Sequence, residues 1–225
     1  MDEPLVLLSG AGLPAWIWDD VRDGLEDAVV PAYPRDPSAT LMAYAETVLA
    51  QVSAARFTLI AHSAGGVVAQ AVTASAPDRV AAVLGVSAVW PGAGRSFAAA
   101  LPLPQRWLLP AILRLAGTRP PEKQIRSGLG RGLPEAVVDR LVGDFSPEAR
   151  RLFVDGAPEA VLPAHRGYVH TTADGEIPVA VQRRSAAALG GDFERELRTG
   201  HLPMLEDPAG LRRVIEEFVR VRREA

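Results

Sequence analysis

The chain is expected to fold as an α/β protein: a mainly parallel sheet of about six strands with helices on both faces. Three observations point there. Short apolar runs of β type alternate with longer segments of helical period, several of those runs are apolar throughout, and one long stretch rich in proline and glycine interrupts the alternation. Parallel neighbours need a crossover connection, so the alternation implies a parallel sheet. Strands covered on both faces read as unbroken apolar runs, as "LVLL" and "FTLIA" do.

The strand signals are Leu5–Leu8, Ala28–Val30, Phe57–Ala61, Val80–Val86, Tyr168–Thr171 and Phe193–Leu197. Helical period marks Trp16–Leu25, Thr40–Ala54, Gly65–Ser75, Val179–Leu189 and Leu211–Val221. The rhythm stops between about Pro91 and Arg166, where "WPGAG", "LPLPQRWLLPAILRLAG" and "TRPPEK" crowd prolines and glycines together. Short helices are expected there at Gln105–Leu115, Pro134–Val142 and Pro147–Val154. A helical insertion after the fourth strand reads as a cap over the strand ends, since connections this long are usually functional or disordered. One domain spanning residues 1–225 is expected, with its core at 1–90 and 167–225 and its cap at about 91–166.

Composition narrows the function classes. The hydrophobic share of 48% and charged share of 23% are ordinary for a globular protein. A net charge of −3 offers no basic field for nucleic acid or an anionic membrane, so neither is expected as a partner. No apolar run reaches the ~18 residues of a membrane span. "MDEPLVLLSG" opens acidic, unlike a secretory leader, and a cytoplasmic location is expected. The absence of cysteine removes disulfides, thiolate metal sites and a cysteine nucleophile. The four histidines have no ligand spacing and the glycines match no nucleotide loop, so no metal and no cofactor are expected. A small-molecule substrate is the expected partner, and a homodimer is compatible with the sequence.

"LIAHSAGG", residues 59–66, carries the chemistry. Ser63 ends an apolar strand and precedes a helix. A strand–serine–helix turn strains the backbone, and the residues two before and two after must be small. Those positions are Ala61 and Gly65, a relaxed form of G-x-S-x-G. The same stretch could hold a serine that merely caps a helix. Context decides. A nucleophilic serine needs a base, and the base needs a carboxylate, in the order Ser, acid, His on successive loops. His201, in "RTGHLPMLEDP", lies between the last strand and the last helix, whereas His62, His165 and His170 do not sit on that loop. Asp174, in "YVHTTADGEIP", follows a strand end and supplies the acid.

An oxyanion hole would combine the backbone N–H of Ala64 with one from the loop "SGAGLPAWIW", where Ala11 is the expected donor. Losing one such donor typically costs ~3–4 kcal/mol of transition-state stabilisation. Trp16 and Trp18 read as core packing rather than substrate contacts.

With these residues in place the chain resembles the α/β-hydrolases, in particular the small branch of plant methyl esterases, hydroxynitrile lyases and their bacterial relatives. The resemblance runs through "LVLLSGAGLPAWIWDDV", "FTLIAHSAGGVVAQAVT", "GDFSPEARRLF", "YVHTTADGEIPVAVQ" and "TGHLPMLEDPAGL", nearly the whole chain. It implies an α/β-hydrolase fold and a cofactor-free esterase with Ser63 as nucleophile, Asp174 as acid and His201 as base. Two positions depart from the family pattern: Ser9 where a histidine usually precedes Gly10, and Ala61 at the elbow. The resembling lyases carry a lysine directly after the catalytic histidine, where this chain has Leu202. A small, neutral, largely apolar ester is the expected substrate. The same triad could serve C–C hydrolysis, lyase chemistry, acyl transfer or cyclisation, or could stand in a ligand-binding protein with little activity.

Overall fold

A computed structural model describes residues 3–25 and 27–224. Met1 and Asp2, half of the acidic opening read above, lie outside the described residues. Six strands form one all-parallel sheet: β1 (Leu5–Leu8), β2 (Ala28–Val29), β3 (Phe57–His62), β4 (Val80–Val86), β5 (His165–Thr171) and β6 (Phe193–Leu197). Their order across the sheet is β2-β1-β3-β4-β5-β6. β1, β3 and β4 are buried along their whole length. The edges differ: β2 is two residues long, and β6 reads FEREL with only Phe193 and Leu197 buried. A short edge and a charged edge both discourage pairing with another chain.

Alternation along the strands divides the interior into two layers. Val6, Leu8, Leu59, Ala61 and Val83 face one layer, which α2 (Leu41–Gln51), α3 (Gly65–Ser75) and α9 (Val179–Leu189) close. Leu5, Leu7, Ile60, Ala82 and Leu84 face the other, closed by α1 (Asp19–Arg22) and α11 (Pro208–Glu224) through Trp18, Leu211, Ile215 and Phe218. Among the described residues no helix is long and apolar enough to cross a membrane.

Helix starts follow local chemistry. Thr40 caps α2 by accepting a hydrogen bond from the Ala43 N–H at 3.0 Å, which moves the start one residue past the expected Thr40. Pro208 opens α11, where a missing N–H costs nothing. The helix expected over Trp16–Leu25 is shorter. A 3-10 turn at Ala15–Trp18 leads into α1, and the chain leaves helical geometry at Asp23 before Gly24 at φ +126°. β5 begins at His165, so the inserted segment ends two residues earlier than expected. The Arg166 side chain tolerates this position because its Nε donates to Gly190 O at 2.7 Å.

Between β4 and β5 lie α4 (Phe97–Ala100), α5 (Gln105–Leu115), α6 (Glu122–Ser127), α7 (Glu135–Asp144) and α8 (Arg151–Val154). α4 and α6 were not anticipated, nor was α10 (Pro203–Glu206) after β6. All three are a turn or two long, too short for a period to show. Trp16 ties this segment to the core: its Nε1 donates to Asp144 Oδ2 at 2.9 Å, and the Arg140 guanidinium lies 4.1 Å from the ring centroid. Trp18, by contrast, is wholly buried core.

Candidate active site

Ser63 sits where β3 turns into α3, at φ +53°, a left-handed conformation that a non-glycine residue adopts at a cost. The turn holds because its neighbours are small. A Cβ on Gly65 would meet Leu8 O at 2.6 Å, and one on Gly66 would meet Val89 O at 2.4 Å. Ala61 at the relaxed position is wholly buried and pairs with Gly85 of β4, whose own lack of a Cβ admits the Tyr168 ring, 2.9 Å from where that Cβ would lie. Ser63 N–H donates to Val86 O at 3.3 Å and Ser63 O accepts from Val89 N–H at 2.9 Å, which pins both sides of the strained residue.

The three residues singled out from sequence meet at the carboxyl ends of the strands. His201 Nε2 lies 3.0 Å from Ser63 Oγ, and His201 Nδ1 lies 2.8 Å from Asp174 Oδ2. A carboxylate can only accept, so Nδ1 carries the hydrogen and Nε2 faces the serine with its lone pair. Asp174 is heavily satisfied. Its Oδ2 also accepts from Ser87 Oγ at 2.5 Å and Thr171 Oγ1 at 2.9 Å, and its Oδ1 from the N–H groups of Glu176 and Ile177 at 2.8 and 2.9 Å. Burial pushes this carboxyl up, but the hydrogen bond and charge of His201, then Ser87 and the Ile177 N–H, outweigh it. They hold Asp174 well below the usual carboxylate range.

Sequence reasoning missed several of these partners. Ser87 is wholly buried at φ +45°, just past β4. Its only signal was position, a small hydroxyl residue ending the strand beside the elbow strand. Gln182 of α9 supports the same loop by donating to Thr171 O at 3.1 Å and Ile177 O at 2.8 Å. His62 does not reach the serine hydroxyl. Its Nε2–H donates to His201 O at 2.8 Å, and burial, then the proximity of His201, lower its pKa to about 3. The remaining histidines are structural: His165 stacks on Phe218 at 4.1 Å and His170 contacts Glu194 Oε2 at 3.0 Å.

The loop after β1 is held from four sides. Trp18 Nε1 donates to Ser9 Oγ at 3.0 Å, and Tyr33 OH donates to Ser9 O at 2.8 Å. Gly12, at φ +74°, donates to Glu148 Oε1 at 3.1 Å and accepts from Ser146 N–H at 3.0 Å. Glu148 Oε2 accepts from Tyr44 OH at 2.6 Å, while burial pushes the Glu148 carboxyl up against these two hydrogen bonds. Ser9 thus occupies a designed niche rather than a vacated histidine position. The inserted segment also touches the first-strand loop directly.

Ser63, Ala64, Ala11 and His201 border one cavity of about 400 Å³, whose remaining wall is mostly apolar: Leu13, Phe97, Leu109, Leu113, Phe145, Phe153 and Ile177 among others. Gln105, Thr118, Gln124 and Glu176 add its polar points. Leu202, next to His201 in sequence, is wholly buried in the layer with Trp18 and Phe218 rather than on the cavity wall. Among the described residues no group of three or more His, Cys, Asp or Glu is placed to hold a metal ion.

Comparisons with known proteins agree with this architecture. An extracellular alpha/beta-hydrolase from a Paenibacillus species, described as sharing structural and functional homology with tobacco salicylic acid binding protein 2, superposes with a TM-score of 0.81. The identity is 21%, over 96% of this chain and 98% of that one. A pyrethroid hydrolase from Sphingobium faniae superposes at 0.73 with 21% identity, covering 99% of both chains. A methylesterase from Arabidopsis does so at 0.74 with 16% identity over 97% of this chain and 99% of that one. A search of curated proteins finds no match. The alpha/beta hydrolase family model matches residues 5–214, almost the whole chain, and the protein therefore belongs to the alpha/beta hydrolase family of enzymes.

Proposed function

We propose that the protein is a serine esterase of the methylesterase-like branch, cleaving small, neutral, largely apolar carboxylic esters through an acyl-enzyme. The observation that carries this reading is the unbroken chain Ser63 Oγ–His201 Nε2, His201 Nδ1–Asp174 Oδ2 at 3.0 and 2.8 Å, opening on an apolar cavity. In this reading Ser63 Oγ attacks the ester carbonyl while His201 Nε2 takes its proton. His201 then gives that proton to the departing alcohol. A water molecule repeats the sequence in reverse, with His201 as base, to release the acid. Asp174 keeps the imidazole in its working tautomer and stabilises the imidazolium.

The N–H groups of Ala11 and Ala64, both on the cavity wall, receive the oxyanion. The inserted helices serve as the cap of a single hydrolase domain, a reading supported by the Phe97, Leu109 and Phe153 side chains that they contribute to the cavity wall. Esterase and hydrolase titles among the structural neighbours support the ester class. A cytoplasmic location belongs to the same reading.

The experiment is a fluorophosphonate probe followed by peptide mass mapping, with a library of p-nitrophenyl esters of graded acyl length. A stoichiometric adduct on Ser63 and turnover of apolar esters are expected. No adduct on the folded protein would leave the chain as a ligand-binding member of its family.

A further inference from the structure

Helix α5 presents an apolar face that the other described residues leave uncovered. Trp107 is 68% exposed and Leu115 86%, with Leu108 and Ile112 at 52% each. Leu108 and Ile112 also border the cavity above Ser63, so the exposed face runs continuously into the cavity mouth. Exposed apolar surface gathered on one helix marks a contact site rather than chance.

The charge along this stretch of the sequence is one-sided. From Val80 to Pro121 the sequence has no Asp or Glu, but it has Arg95, Arg106, Arg114 and Arg119, the last of which is engaged with the carbonyls of Val142 and Phe145. Arg106 and Arg114 stand exposed on α5 itself. The net charge of −3 hides this asymmetry, because the acids lie elsewhere in the chain.

We propose that α5 docks peripherally on an anionic lipid bilayer, with Trp107 and Leu115 entering the boundary between headgroups and acyl chains. Arg106 and Arg114 would meet lipid phosphates. An amphipathic helix of this composition lies in the interface plane, where tryptophan and leucine take the apolar side and arginines reach the headgroups along their methylene stems. A second copy of the chain is a poorer occupant. A two-fold contact through α5 would set its arginines near their own equivalents with no carboxylate on the helix to offset them. Docking would turn the cavity mouth toward the lipid, so that an ester dissolved in the bilayer could enter without crossing water. The proposal concerns attachment to a surface, and it replaces the expectation of no membrane partner. It stands independently of the chemistry at Ser63.

The test is co-sedimentation of the full chain with vesicles of phosphatidylglycerol and phosphatidylcholine, against vesicles of phosphatidylcholine alone, at low and high salt. Two variants are compared, Trp107→Ala/Leu115→Ala and Arg106→Gln/Arg114→Gln. None of these four residues borders the cavity, so melting and turnover of a soluble short ester should match the parent. Binding to the anionic vesicles, released by salt, is expected, with each lost arginine lowering the partition about fivefold. Loss of binding in the apolar variant is expected too. No vesicle binding, equal binding to phosphatidylcholine alone, or full binding by both folded variants would overturn the proposal. Salt-insensitive dimers that disappear in the apolar variant, with no vesicle binding, would assign α5 to self-association instead.

Discussion

His62 and His201 lie next to each other beside Ser63, with ring centroids 4.7 Å apart and the His62 Nε2–H donating to the backbone oxygen of His201 at 2.8 Å. The residue that adjoins the serine in sequence thus holds the His201 loop rather than the serine hydroxyl. It is wholly buried, and its Nδ1 has no partner among the described residues. That arrangement suits a neutral ring only.

Burial, with His201 nearby, lowers the His62 pKa to about 3 from its ordinary 6.5, so the folded state excludes a proton that the unfolded chain accepts. The stability this contributes is complete above about pH 6.5 and is lost as pH falls toward about 3, at up to ~1.4 kcal/mol per unit. His62→Gln keeps a donor for His201 O and removes the titrating group. Thermal melts between pH 4 and 7 should show a flatter acid limb for this variant than for the parent. His62→Phe should lower kcat more than it raises KM, because it frees the His201 loop without touching the cavity. Equal acid limbs in parent and His62→Gln would assign acid sensitivity to other groups.

Replacing Asp174 by Asn should lower kcat by about 10⁴-fold with the fold retained, as loss of the imidazolium's partner does in other serine hydrolases. Asp144 and Asp155, carboxylates of the inserted segment, are engaged elsewhere, Asp144 with Trp16 and Asp155 with the Leu41 N–H. Ser63→Ala and His201→Ala should each abolish turnover of a p-nitrophenyl ester. Ser87→Ala should fall between these variants and the parent, because Asp174 Oδ2 keeps Thr171 and His201 as donors. Steady-state kinetics with circular dichroism checks all four.

Ser9→His tests how the first-strand loop is built. On family resemblance alone, a histidine there would be neutral or beneficial. The structure reverses that expectation: Ser9 is buried, and its hydroxyl is the acceptor for Trp18 Nε1. A larger ring there must displace Trp18, an overpacking cost of about 1–3 kcal/mol. A lower melting temperature and a fall in kcat are expected. Glu148→Ala should act on the same loop from the other side, leaving Gly12 N–H and Tyr44 OH without their acceptor at about 1–3 kcal/mol. Unchanged melting in either variant would contradict this account of the loop.

Substrate charge can be read from the cavity. Glu176 is the carboxylate on its wall, and it would oppose an anionic ester. A neutral ester should therefore have the higher kcat/KM when compared with a carboxylate-bearing ester of matched size. Mandelonitrile should release no cyanide, since Leu202 stands where the lyases carry lysine and is buried away from the cavity. A preference for the anionic ester, or rapid cyanide release, would refute this reading of the pocket.

By itself the sequence determined the sheet and pointed to the three residues that meet at its strand ends, because both rest on local chemistry. Apolar runs such as Leu5–Leu8 and Phe57–Ala61 are long enough to show their covering on two faces, and the small residues around Ser63 are demanded by a turn of a few residues. Loop order along the chain then sufficed to select His201 and Asp174. The supporting contacts were decided only by tertiary structure, because they join residues far apart in sequence. Ser87 reaches Asp174 across 87 positions, Glu148 reaches Gly12 across 136, and His62 reaches His201 across 139. No local period or motif records such pairs. The direction of a side chain is equally invisible: Leu202 follows His201 directly, yet one faces the cavity and the other the core. The short helices α4, α6 and α10 escaped notice for a related reason, since a turn or two buries too few residues to leave a period.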